Sequence, residues 1–344
     1  EGSLMVENFW HKKEKPFAGF AGWGGGVSNL ALASAGLAPQ IEASGGHVHD
    51  YTDPDGDVYR YHVFVAPGSF VISDVGDSDG NIEYLLVAGG ATGGHMYYGG
   101  GGGAGGMQQN FPAPAVVANG LCTTPSLTLA AGTYPVTIGY GGRSSVENGN
   151  DPYFNKRGGG NSVFGFPSTI TANGGGQGGG RQGPKGGRYG ADGGCGGGGA
   201  VAIEYPQIPT TWSPKPSYSP GASTGSQGYG GGALACTGCG DNAESVMGTG
   251  GGGLGAIGGA RANQPPFTQP ANPYAGAVGG DGARITDGGI MQMGIGTPGP
   301  NPGIYIGGGG GGGTGAGYSY KIEGDPGYAR YPGGAGGGGD GATG

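Results

Sequence analysis

Gly-Gly-Gly-Gly-Gly (99–103), Gly-Gly-Gly-Gln-Gly-Gly-Gly (174–180), Gly-Gly-Gly-Gly (196–199 and again 250–253) and Gly-Gly-Gly-Gly-Gly-Gly-Gly (307–313) are the stretches whose reading decides the fold. They belong to a chain in which 95 of 344 residues are glycine. A glycine run has no side chains to bury and loses more backbone freedom on ordering than any other sequence. It therefore either stays disordered or packs backbone directly against backbone. Collagen is excluded, because the runs are pure and interrupted rather than strictly one glycine in three. A flexible linker is excluded by the 19 Tyr, 10 Phe and 3 Trp that accompany the runs. Charge-solubilised disorder does not fit either, since charged residues make up 11% of the chain, against about 25% in ordinary soluble domains.

Backbone packing of this kind points to extended glycine helices of the polyproline-II type, with about three residues per turn and no internal hydrogen bonds. Every N–H and C=O then points outward, and neighbouring helices without Cβ atoms can approach closely enough to pair them. Ordering a residue costs about 1–2 kcal/mol, whereas a hydrogen bond returns about 0.5–1.5 kcal/mol net. One glycine helix is thus unstable alone, and a bundle needs many helices and a seed. Replacing a central run residue, for instance Gly310→Val, is expected to disrupt packing more than a typical surface substitution, because a Cβ intrudes where another backbone must approach.

The seed is legible between residues 47 and 173. Tyr59, Tyr61, Val63 and Val65 alternate with Arg60, His62 and Phe64, Pro67-Gly68 marks a turn, and 70–73 reads as a second strand. Residues 82–88 form an apolar strand running straight into Gly89-Gly90, and further strands are expected at 127–129, 134–138, 161–164 and 169–172. The expected fold is all-β plus polyglycine-II: a small β-sandwich seeding a bundle of glycine-rich helices with loops at its ends. Three regions follow: an N-terminal docking arm (1–46), a β-strand module with the first glycine runs (47–173), and a polyglycine-II bundle with variable loops (174–344). In the last region the runs alternate with chemically diverse segments at 200–229, 233–247, 261–278, 283–306 and 316–332. Loops held on a rigid scaffold are where recognition concentrates.

Catalytic and metal motifs are weak. Cys236-x-x-Cys239 is half of a zinc site at most; Cys122 and Cys195 are distant in sequence, no His follows at finger spacing, and small-residue packing is the simpler account, with no disulfide pairing assigned. His47 and His49 fall on one side of an extended chain, yet strand-entry polarity explains them without a metal. The Asp-rich stretches 53–57 and 77–81 lack the Gly and Glu of a calcium loop and read as turns. Glycine patterns of the GxGxxG type occur by composition alone and imply no dinucleotide. No paired carboxylates across a groove suggest glycan hydrolysis, so no enzyme, cofactor or metal is expected.

The net charge of −8 argues against nucleic acid as a partner, although Arg143, Lys156, Arg157, Arg181, Lys185 and Arg188 outnumber the acids between 143 and 192. No apolar stretch is long enough for a membrane helix, and the chain reads as soluble without a signal peptide.

Tyr-His-Val-Phe-Val-Ala-Pro-Gly-Ser-Phe-Val-Ile-Ser (61–73), Asn-Ile-Glu-Tyr-Leu-Leu-Val-Ala-Gly-Gly (81–90), Gly-Gly-Gly-Gly-Gly-Ala-Gly-Gly (99–106) and Tyr-Pro-Val-Thr-Ile-Gly-Tyr-Gly-Gly (134–142) together resemble the glycine-rich domain of tailed-bacteriophage tail-fibre and adhesin proteins, most of all those of phages of marine cyanobacteria. The strand signature covers about residues 59–175; the remainder is similar in style. The resemblance implies a virion protein at a fibre tip, acting at the host cell surface. Its variable loops would bind an outer-membrane protein or surface polysaccharide, and other tail-fibre or virion proteins would be partners, the chain being either a homotrimer or a cap on a trimeric fibre. Aromatic residues in the diverse segments are the expected receptor contacts: Tyr205, Trp212, Tyr218, Phe267, Tyr274 and Tyr318. Phe9, Trp10, Lys12 and Lys13 are the expected virion-docking residues. The competing readings are a structural glycine bundle, as filament subunit or ice binder, and a polysaccharide depolymerase. Near-identical repeats would favour the structural reading, and the diverse segments do not repeat.

Overall fold

The computed structural model describes residues 41–76, 79–94, 99–112, 115–117, 126–143, 158–165, 169–180, 189–200, 220–233, 248–260, 278–313 and 332–341. Among them the chain is all-β, with one five-residue helix.

The main sheet forms where apolar residues alternate. Its strands β1 (Glu42–Ser44), β4 (Gly68–Asp74), β10 (Gly132–Thr137), β11 (Ser162–Phe164) and β12 (Ile170–Ala172) lie in that order, each antiparallel to its neighbour. Phe70 and Ile72 of β4 and Tyr134 and Val136 of β10 point to one side and are buried with Ile41, Leu86, Leu129 and Phe164. The strand β6 (Leu85–Val87) pairs with β7 (Met107–Gln109), and this ribbon packs on β11 and β12. Ser162 ties the layers together: its Oγ donates to the Val87 carbonyl (2.8 Å) and accepts from the Gly139 N–H (2.9 Å). A smaller pair joins β5 (Asn81–Ile82) to β9 (Leu127–Thr128).

Two features depart from the sequence expectation. The apolar stretch 82–88 is broken into β5 and β6, because Asn110 crosses the gap: its Oδ1 accepts from the Tyr84 N–H and its Nδ2 donates to the Ile82 carbonyl. The segment 283–306, expected as a loop, is folded. It contains β13 (Ala283–Ile285), helix α1 (Gly288–Gln292), β14 (Thr297–Pro298) and β15 (Ile304–Ile306). With β8 (Val116–Val117) these strands make a second sheet, ordered β14-β15-β13-β8. Ile285, Ile290 and Ile306 enclose a second core with Met107, Cys195 and Leu254. Cys195 is a fully buried thiol whose Sγ donates to the Gly105 carbonyl.

The hairpin of β2 (His47–Thr52) and β3 (Val58–Val63) docks on α1. Its turn is closed by Asp53, whose carboxylate accepts from the Asp57 N–H (2.8 Å) and whose own N–H donates to the Asp57 carbonyl (2.9 Å). The Asp-rich stretch 53–57 is thus a turn, as its composition suggests.

Beyond the strands run the glycine segments, and their hydrogen bonds obey one rule. Gly100, Gly103 and Gly106 donate to the carbonyls of Gly179, Gly176 and Asn173. Gly101 and Ala104 donate to Thr249 and Gly252, while Ala88, Ala91 and Gly94 donate to Gly106, Gly103 and Gly100. Each neighbour recurs every third residue. The reason for glycine is equally plain: a Cβ built on Gly101, Gly178, Gly198, Gly251 or Gly309 would meet a neighbouring backbone carbonyl at under 3.0 Å. Segments on both sides of residue 173 are bonded into this one array.

Candidate receptor-contact face

The strands feed one end of the glycine array. Val87 leads into 88–94, segment 99–106 leads into Met107, Ala172 leads into 173–180, and Ile306 leads into 307–313. Followed away from the strands, the segments converge on a second end, which the hydrogen bonds outline. Gly94 donates to Gly100 (2.7 Å), Gly100 to Gly179 (2.8 Å) and Gly179 to Gly198 (2.9 Å). Thr249 donates to Gly199 (3.0 Å), Gly248 to Gly313 (3.1 Å) and Gly313 to Gly99 (2.7 Å). Gly232, Gly259 and Val278 join through Gly250, since Gly232 donates to Gly250, Gly250 to Gly259, and Gly259 to Val278.

These residues flank the segments 95–98, 181–188, 201–219, 234–247, 261–277 and 314–331. The array therefore gathers the flanks of all six at the end opposite the strands. Tyr205, Trp212 and Tyr218 (in 201–219), Phe267 and Tyr274 (in 261–277) and Tyr318 (in 314–331) lie outside the described residues, as do Phe9, Trp10, Lys12 and Lys13. The described residues bring together the flanks of the three segments that carry the six aromatics, although those segments are far apart in sequence.

A local side chain locks this end: Thr249 is fully buried, and its Oγ1 accepts from the Gly199 N–H (2.8 Å) beside the start of 201–219. Elsewhere in the array Asp192 accepts from the Ala222 N–H (2.6 Å), Asp281 from Ala335 (3.0 Å) and Asp340 from Gly333 (3.2 Å), joining neighbouring segments where the chain turns back. Sequence reasoning passed over Tyr189, an aromatic ring 43% exposed at the edge of segment 181–188; the signal was its place between Arg188 and Gly190, at the junction of a diverse segment with a glycine run.

The strand end has the ionisable groups with shifted behaviour. Arg60 grips Asp50 through Nε (2.6 Å) and Nη2 (2.7 Å), and this hydrogen bonding holds the Asp50 carboxyl below its usual range. Burial, with the adjacent Asp287 carboxylate, raises the Tyr61 hydroxyl, which donates to Asp287 Oδ1 (2.9 Å). Burial lowers His62, whose Nδ1 lies 2.7 Å from the Gly45 carbonyl and donates to it. His49 pairs with Tyr61 and His62 with Val48 in the hairpin register, so the two imidazoles occupy opposite faces. Among the described residues no three His, Cys, Asp or Glu side chains converge as metal ligands, and no helix is long and apolar enough to cross a membrane.

Compared with known proteins, the chain matches no family model, no curated protein and no solved structure.

Proposed function

We propose that the glycine segments form a polyglycine-II bundle, and that the chain is the receptor-binding adhesin at the tip of a bacteriophage tail fibre. The bundle reading is supported by the three-residue recurrence of the hydrogen bonds, which is the period of an extended glycine helix. The adhesin reading is supported by the resemblance of 61–73, 81–90 and 134–142 to tail-fibre glycine-rich domains. The observation that carries it furthest is the convergence of six segment flanks on one end of the array.

In this account the protein is not an enzyme. The array supplies a stiff support, and the aromatic-bearing segments supply a contact surface for an outer-membrane protein or surface polysaccharide of the host. The strand end and the N-terminal residues face the virion, where other tail-fibre proteins are the partners. Segments of unequal length and composition suit recognition of a specific receptor better than the repeated faces of a filament or an ice binder.

The test is to exchange residues 201–219 for an unrelated segment of equal length, verify by circular dichroism and thermal melting that the fold persists, and measure adsorption to host cells. Loss of adsorption with the fold retained is expected. Wild-type adsorption would remove Tyr205, Trp212 and Tyr218 from the contact surface.

A further inference from the structure

The central segment 99–106 is hydrogen-bonded to 88–94, 173–180, 195–200, 248–254 and 307–313. Its remaining side opens on a groove of about 300 Å³, walled by the backbones of Gly90, Gly93, Gly102, Gly310 and Gly339 and by Asp340. The groove leaves backbone groups unpaired. Gly102 is buried, yet its N–H donates to nothing among the described residues, whereas Gly101 and Gly103 on either side both donate. On the facing wall the carbonyls of Gly308 and Gly311 accept nothing among the described residues, whereas those of Gly307, Gly309, Gly310 and Gly313 all accept. Buried backbone groups without partners are rare in folded proteins.

The glycines that wall the groove are also unexplained by the described chain. Interior glycines are required because a Cβ would strike backbone at under 3.0 Å. A Cβ on Gly310, Gly93 or Gly90 would meet nothing nearer than 3.2, 3.4 and 3.8 Å respectively, and one on Gly339 would meet nothing within 4 Å. Gly56, Gly225, Gly294 and Gly337 are equally open, but each needs glycine for its positive φ; Gly339 does not.

We infer that this groove seats one more extended glycine strand, and that residues 19–26 of this chain fill it. The sequence there is Gly19-Phe-Ala-Gly22-Trp-Gly-Gly25-Gly26. Glycines at 19, 22 and 25 recur every third residue, so a strand with three residues per turn lays one bare face in the groove and carries Phe20 and Trp23 away from it. Its carbonyls accept from Gly102 and its N–H groups donate to Gly308 and Gly311, extending the array as an added strand extends a sheet. The approach is short. The described chain begins at Ile41, which is buried in the same cluster as Leu86 and Ala88, and Ala88 opens the segment that forms one wall. The fourteen residues 27–40 reach up to about 50 Å when extended.

Residue-resolved amide exchange on the full chain tests this. In the wild type, Gly102 is expected to be protected like Gly101; with Gly22→Val and Gly25→Val together its exchange speeds up by about tenfold or more, while Gly101 and Ala104, bonded within the array, stay unchanged. A Gly102 amide that exchanges in the wild type as an open amide would overturn the inference. Protection that survives the double substitution would overturn it too, with loss on dilution then identifying a second copy as occupant. Should the double variant lose Gly101 protection as well, a Gly22→Cys, Gly339→Cys chain decides: a disulfide between these positions within one chain is expected on oxidation, and its absence or its formation between chains contradicts the assignment.

Discussion

Gly101 and Gly310 sit in similar-looking runs and meet different neighbours. A Cβ on Gly101 would strike the Gly310 carbonyl, whereas a Cβ on Gly310 points to the groove and lies 3.2 Å from the Gly102 nitrogen. The run 307–313 shows that glycine is needed without showing which neighbour each residue faces. Gly101→Val is expected to lower stability, as read from chemical denaturation, by about 1–3 kcal/mol or more, as overpacking does. His62 provides a second residue-scale prediction. Its imidazole packs edge-on against Phe70 at 5.1 Å and is held neutral by burial, with Arg60 opposing its charge and Asp50 favouring it. A folded-state pKa below the ordinary 6.5 means that the unfolded chain binds the proton first, so stability falls as pH drops through that value. Between about pH 7.5 and pH 5 the melting temperature of the wild type should fall more than that of His62→Gln. Asp50, its pKa lowered by Arg60, stays charged throughout this window.

At the scale of elements, legibility followed length and alternation. The strands β3, β4 and β10, with six, seven and six residues, appear in the sequence as alternating runs, and Tyr134 and Val136 declare the buried face. Those of β8, β13, β14 and β15 span two or three residues each and offer no period to detect; tertiary pairing creates them. The helix α1 was equally hidden, since Gly288-Gly289 opens it against intrinsic propensity. Asp287 overrides that cost. Its Oδ1 caps the helix by accepting from the Ile290 N–H (2.9 Å) and also receives the Tyr61 hydroxyl. Gly289 is required because a Cβ there would press on the Tyr61 ring. Asp287→Ala should therefore cost about 1–2 kcal/mol and free the hairpin from α1, whereas Asp287→Asn, which keeps an oxygen at the cap, should lose less. Thermal unfolding of the two variants side by side distinguishes the outcomes.

For the molecule as a whole, the glycine runs announced backbone packing, but neither the order of neighbours nor the convergence of the flanks of 95–98, 181–188, 201–219, 234–247, 261–277 and 314–331 on one end could be read from composition. That convergence depends on which residues turn the chain back near the strands, such as Leu254, buried between 248–253 and 256–260, and Asp281, whose carboxylate accepts from the Ala335 N–H and joins 278–283 to the segment 332–341. The candidate contact residues Tyr205, Trp212, Tyr218, Phe267, Tyr274 and Tyr318 were chosen by chemistry alone and lie outside the described residues; what the described residues add is that the flanks of their three segments meet at one end of the array. The account rests on the glycine segments being a stiff, mutually bonded array. Amide exchange measured glycine by glycine across the segments tests this most directly: Gly100, Gly101, Gly103, Gly176, Gly251, Gly252 and Gly309, each a donor to a neighbouring segment, should exchange orders of magnitude more slowly than unstructured amides, near the rate set by global unfolding. Exchange of these amides at the rate of a free chain, with the strand residues still protected, would contradict it.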